Sequence, residues 1–123
     1  MCPEPPRLSL SGANRLRESR AFAALRQEGH REARGCLVAN WKLAPGNAAS
    51  RVGVIASRRL GPAVVRNRAK RLLREVFRLH QHEFLAPVDL VLVARSSIVG
   101  CACAQVERDF LGLLRRARIL RAP

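Results

Sequence analysis

From Pro62 to His80 the chain carries a pattern that an amphipathic helix satisfies and little else does. At the helical period, Val65, Ala69, Leu72, Leu73, Val76 and Leu79 fall on one apolar stripe, while Arg66, Asn67, Lys70, Arg71, Arg74 and Arg78 occupy the other side. Arg68 and Glu75 flank the stripe. Gly61-Pro62 punctuates the start, with Pro62 placed for the first helical turn, where its missing N–H costs little. Such a helix buries one face and leaves the other as a cationic rail, so the remainder of the chain has to supply a core for it.

The rail has almost no acids to balance it. No Asp or Glu occurs between Glu32 and Glu75, whereas Arg34, Lys42, Arg51, Arg58, Arg59, Arg66, Arg68, Lys70, Arg71 and Arg74 accumulate there. One-signed charge on a folded segment repels itself and is stabilised by a polyanion. The whole chain of 123 residues has a formal charge of +14, which points to nucleic acid first and to an anionic membrane surface second. Of the basic residues 21 are Arg and 2 are Lys. A GC-rich coding bias explains most of that excess, although guanidinium forks also suit phosphate.

The length sets one domain. Residues 1–11 are Pro-rich and aperiodic, a flexible lead-in to a single domain over 12–123. From Asn14, the apolar residues Leu16, Phe22, Ala23 and Leu25 recur at helical spacing up to a stop at Gly29. His30 to Ala33 and Cys36 to Leu43 read as strands. Pro45-Gly46-Asn47 is a turn, and Arg51 to Ser57 is a strand that pairs naturally with the one before it. After the basic helix, Asp89 to Ala94 is a continuous apolar run, the mark of a covered strand, and Val106, Phe110, Leu113, Leu114 and Ala117 trace a last helix. The order α-β-β-β-α-β-α implies an α+β two-layer sandwich with helices on a four-stranded sheet.

Catalysis by protein groups has little support. His30, His80 and His82 are scattered, with His80 and His82 read as solvent-side residues at a helix end. Asp89 with Glu83 is too thin a carboxylate set for a metal, and a strand-capping role suits Asp89 better. No catalytic residue and no metal ligand is assigned. The spacings of Cys2, Cys36, Cys101 and Cys103 match neither a zinc knuckle nor a disulfide framework, so free thiols in a cytoplasmic protein are expected. No secretion signal or membrane-spanning run is found.

A charge run is usually a solvated face. Three details favour nucleic acid here: the missing acids, Asn67 between two arginines, and Arg58-Arg59 leading into a helix N-terminus that itself attracts phosphate.

The segment from Arg51-Val52-Gly53-Val54-Ile55-Ala56-Ser57-Arg58-Arg59 through Gly61-Pro62-Ala63-Val64-Val65-Arg66-Asn67-Arg68-Ala69-Lys70-Arg71 to Arg74 closely resembles the signature of the bacterial ribonuclease P protein component. In that family R-x-G-x-x-x-S-K-K is followed by G-x-A-V-x-R-N-R-x-K-R-x-x-R. The resemblance implies a left-handed β-α-β crossover, against the usual hand. It implies an endoribonuclease that removes the 5′ leader of precursor tRNA, whose catalytic centre and Mg²⁺ ions belong to an RNA subunit. Carried over by position, Arg58, Arg59, Arg66, Asn67, Arg68, Lys70, Arg71 and Arg74 would bind the catalytic RNA, with no further protein partner required. Phe22, Arg26 and Asn40 would bind the single-stranded leader. Arg26 stands where the family commonly has a second Phe, and Asn40 where it commonly has Tyr. Composition alone fits a structural RNA-packaging protein equally well, while a protein-only metallonuclease lacks the carboxylates.

Overall fold

The computed structural model describes residues 29–44, 46 and 49–120. The Pro-rich lead-in, the helix expected from Asn14, and Phe22 and Arg26 lie outside the described residues. Within them the chain forms β1 (His30–Arg34), β2 (Leu37–Leu43), β3 (Arg51–Ile55), α1 (Ala63–His80), β4 (Val88–Ala94) and α2 (Cys103–Ala117). One-turn 3₁₀ helices, Arg58–Leu60 and Ser96–Ile98, follow β3 and β4.

The strands lie in the order β1-β2-β4-β3, with β1/β2 and β2/β4 antiparallel and β3/β4 parallel. This corrects one expectation: β3 does not pair with β2, because β4 is inserted between them. Burial accounts for the choice. β4 is apolar toward both faces, with Val88, Leu90 and Leu92 fully buried on one side and Val91 only 3% exposed on the other. Such a strand gains most from a central position, whereas β3, with partly exposed Val54 and Ile55, tolerates the edge. Asp89 helps to set the register rather than capping the strand. It sits opposite Arg51, which donates to it through Nε (2.9 Å) and Nη2 (2.8 Å). The Ser50 hydroxyl accepts the Val88 N–H at 3.1 Å, tying the β2–β3 connection to the start of β4.

One face of the sheet packs on both helices. Leu37, Ala39 and Trp41 of β2, and Val88, Leu90, Leu92 and Ala94 of β4, meet Leu73, Val76 and Phe77 of α1 and Val106, Phe110 and Leu114 of α2. Trp41 thus points into the core, away from its neighbour Asn40, as strand alternation requires. On α1 the fully buried positions are Ala69, Leu73, Val76 and Phe77. Phe77, absent from the expected stripe, is its largest member. Pro62 is the N-cap rather than a first-turn residue, and its carbonyl accepts the N–H groups of Val65 and Arg66 at 3.0 and 3.1 Å.

The β1–β2 hairpin is anchored on α2. Gly35 adopts φ +56, and a Cβ there would collide with the Asp109 carboxylate. That carboxylate accepts the Cys36 N–H at 3.1 Å, so the glycine permits both the turn and the approach of the helix.

Candidate nucleic-acid interface

Because β3 and β4 are parallel, the segments that leave them emerge at one edge of the sheet. From β3 the chain passes through Arg58–Leu60 into α1, and from β4 it passes through Arg95 and Ser96–Ile98 toward α2. Leu60 is buried and holds its turn down, leaving Arg58 and Arg59 exposed immediately before α1. The start of α1 has no side-chain cap and no acid in its first turn, so its positive end is bare. Along the helix Asn67 and Arg71 are exposed, while Arg66, Lys70 and Arg74 are partly buried. The Arg66 Nε is enclosed without a hydrogen-bond partner.

Several cations in the acid-poor window and just beyond it serve the fold. Arg51 is held by Asp89, as described above. Arg68 donates from Nη2 to the Cys101 carbonyl at 2.8 Å, strapping α1 to the segment after β4, with its other N–H groups left for an external acceptor. Arg78 pairs with Glu75 across one turn of the helix, at 3.0 Å from Nε and 2.5 Å from Nη2. That hydrogen bond lowers the Glu75 carboxyl below its ordinary 4.5. The contribution of the pair is therefore present above pH 4.5 and fades as pH falls through the lowered value.

The opposite sheet face carries a second feature. Asn40, only 9% exposed, shares a recess of about 280 Å³ with Arg31, Val38 and Val93. Arg31 was not singled out by the sequence. Its signal lay in the hairpin register, which sets Arg31 opposite Asn40.

His80 is not a solvent-side residue. Its ring is 16% exposed, bonded through Nδ1 to Glu83, with Nε2 at 3.5 Å from Glu107 and the Phe110 ring 6.3 Å away. His82 is exposed. Among the described residues no group of three or more His, Cys, Asp or Glu is placed to hold a metal ion, and no helix is long and apolar enough to cross a membrane.

Cys36, Cys101 and Cys103 are free thiols. Burial, reinforced by hydrogen bonding to Asp109 and its negative charge, pushes the Cys36 thiol from 9.0 up to about 12. The folded state thus favours the protonated form, and the associated stability is intact below pH 9 and lost as pH rises toward 12. Among the described thiols of the native protein at pH 8, iodoacetamide should modify the partly exposed Cys103 first and Cys36 only after denaturant is added. Peptide mapping by mass spectrometry checks this, and early labelling of Cys36 would contradict it.

Known proteins share this sequence pattern and fold. The family model described as Ribonuclease P matches residues 10–118. The ribonuclease P protein component of Desulfatibacillum aliphaticivorans is 40% identical over 103 residues, covering 84% of this chain and 82% of that protein. A variant of the Staphylococcus aureus RNase P protein superposes with a TM-score of 0.80 at 26% identity, covering 88% of this chain and 91% of the other. The RNase P protein of Thermotoga maritima gives a TM-score of 0.74 at 29% identity, with coverages of 83% and 96%.

Proposed function

Since this chain belongs to the ribonuclease P family, as the protein component of a tRNA-processing ribonucleoprotein, we propose that it binds the catalytic RNA and the 5′ leader of precursor tRNA on two separate surfaces. The observation that carries this reading is the bare positive end of α1, flanked by exposed Arg58 and Arg59 and continued by Asn67 and Arg71. Backbone N–H groups and guanidinium forks converge there on a phosphate backbone. With Arg66, Lys70, Arg74 and the remaining donors of Arg68, this surface takes the RNA subunit.

The recess around Asn40 on the other sheet face takes the single-stranded leader. Arg31 adds a guanidinium that pairs with leader phosphate or stacks on a base. Phe22 and Arg26 complete that site by family position. Hydrolysis and the Mg²⁺ ions it requires reside in the RNA partner, so the protein's part is to bind and orient, and it works in the cytoplasm.

Reconstitution with the cognate RNA subunit tests the reading. The protein alone should cleave no precursor tRNA. With the RNA it should lower the Mg²⁺ needed for cleavage and favour leader-bearing over mature tRNA. Engagement of about six single-strand phosphates gives a log–log salt slope near −4. Cleavage that survives RNA digestion of the sample, or equal binding of precursor and mature tRNA complexes, would sink it.

A further inference from the structure

Beside the cationic rail, α1 borders an apolar recess that phosphate binding leaves unused. It holds about 220 Å³ and is walled by Val64, Val65, Arg68 and Ala69 on α1 and by Ile98 and Val99 in the turn after β4. Val64 is 79% exposed and Val99 49%, two of the few large apolar residues left open among the described residues. On the same helix and the turn before it, Arg58, Arg59, Asn67, Arg68 and Arg71 are exposed as well.

The surroundings select the occupant. An aliphatic protein side chain would match the walls but would bring nothing for the positive charge around them. Arg68 lies on the rim with its guanidinium tied by Nη2 to the Cys101 carbonyl, the α1 N-terminus has neither cap nor acid, and Arg58 and Arg59 precede it. A nucleotide matches both parts, with a flat, weakly polar base for the recess and a phosphate for the helix end and the arginines. The volume is below the roughly 300–1,000 Å³ of sites for drug-sized ligands, which suits one base rather than two.

We infer that this recess receives the splayed-out base of one unpaired nucleotide of the RNA subunit, its phosphate resting on the start of α1. The inference rests on the RNA-binding reading and adds to it a fixed point of register. The walls are mainly aliphatic, so the site grips a base by its faces and is tolerant of base identity.

The test uses the full-length chain, the cognate RNA subunit transcript and the double variant V64S/V99S, with binding measured across a salt series. Both valines are exposed, so an unchanged thermal midpoint is expected. Affinity should fall about tenfold, as for loss of one base contact, while the log–log salt slope stays at the wild-type value because no phosphate contact is removed. In parallel, a benzophenone side chain placed at position 99 should crosslink to a single unpaired nucleotide of the RNA. Wild-type affinity in V64S/V99S, a shallower salt slope, or crosslinks confined to duplex RNA or to protein would overturn the inference while leaving the RNA-binding reading intact. Failure of the wild-type protein to bind the RNA at all would bring down both.

Discussion

Replacing Phe77 by Ala should destabilise the protein by about 3–5 kcal/mol, the range for removing a fully buried aromatic ring. Phe77 has no exposed surface, lies on the inner face of α1 and meets the Phe84 ring at a centroid distance of 6.1 Å. Phe84 in turn bridges to Leu120, and the neighbouring Leu85 N–H donates to the Ile119 carbonyl at 2.9 Å. The cavity would therefore loosen the join between the end of α1 and the segment after α2, as well as the core itself. A small domain has only about 5–15 kcal/mol in total, so this one change removes a large share of it. Urea unfolding followed by far-UV circular dichroism should show the midpoint falling with an unchanged m-value. Leu79→Ala, at a partly exposed position on the same helix, should cost much less. A loss below about 1 kcal/mol for Phe77→Ala would show that the site refills by collapse and is not a keystone of the core.

Phe77 also marks where the sequence stopped short. The helical period established that α1 is amphipathic, and Ala69, Leu73 and Val76 do fill its inner face. Which flank of the stripe goes deepest depends on where α2 and the sheet press on it, and periodicity carries no such information. Here the pressure falls toward Phe77, while Val65, Leu72 and Leu79 are left partly exposed.

Strand pairing failed for a related reason. Arg51 to Ile55 is plainly a strand, and nearness in sequence favours pairing it with β2. The doubly apolar β4 competes for the same central place from over thirty residues away, and its burial on both faces outweighs the shorter connection. The charge run was legible as a cationic stretch with few acids, but not which of its residues the fold uses. Arg51 finds Asp89 and Arg68 finds the Cys101 carbonyl only once β3, β4 and α1 are brought together. Arg31 joins Asn40 only through a hairpin that Gly35 permits.

That sorting of the cations yields the second large effect. The triple variant Arg58→Gln, Arg59→Gln and Arg71→Gln removes three exposed cations and lowers the formal charge from +14 to +11. Exposed substitutions of this kind usually change stability by no more than about 0.5 kcal/mol each, so the fold should persist. Each lost phosphate contact reduces the log–log salt slope by about 0.7 to 0.9, so the triple variant should show a slope shallower by about 2 to 3. Carried to physiological salt, the same relation gives roughly a 50- to 150-fold loss of affinity for the RNA subunit. Arg78→Gln is the matched control. Its guanidinium is already engaged by Glu75, so its removal should leave the slope close to wild type. Filter binding or fluorescence titration over a salt series measures both variants. A triple variant with the wild-type slope would mean that the RNA grips another basic face, with Arg115 and Arg116 at the end of α2 the next to examine. An Arg78→Gln variant that loses as much slope as the triple would mean that the Glu75 pair opens on binding and that the rail extends to the last turn of α1.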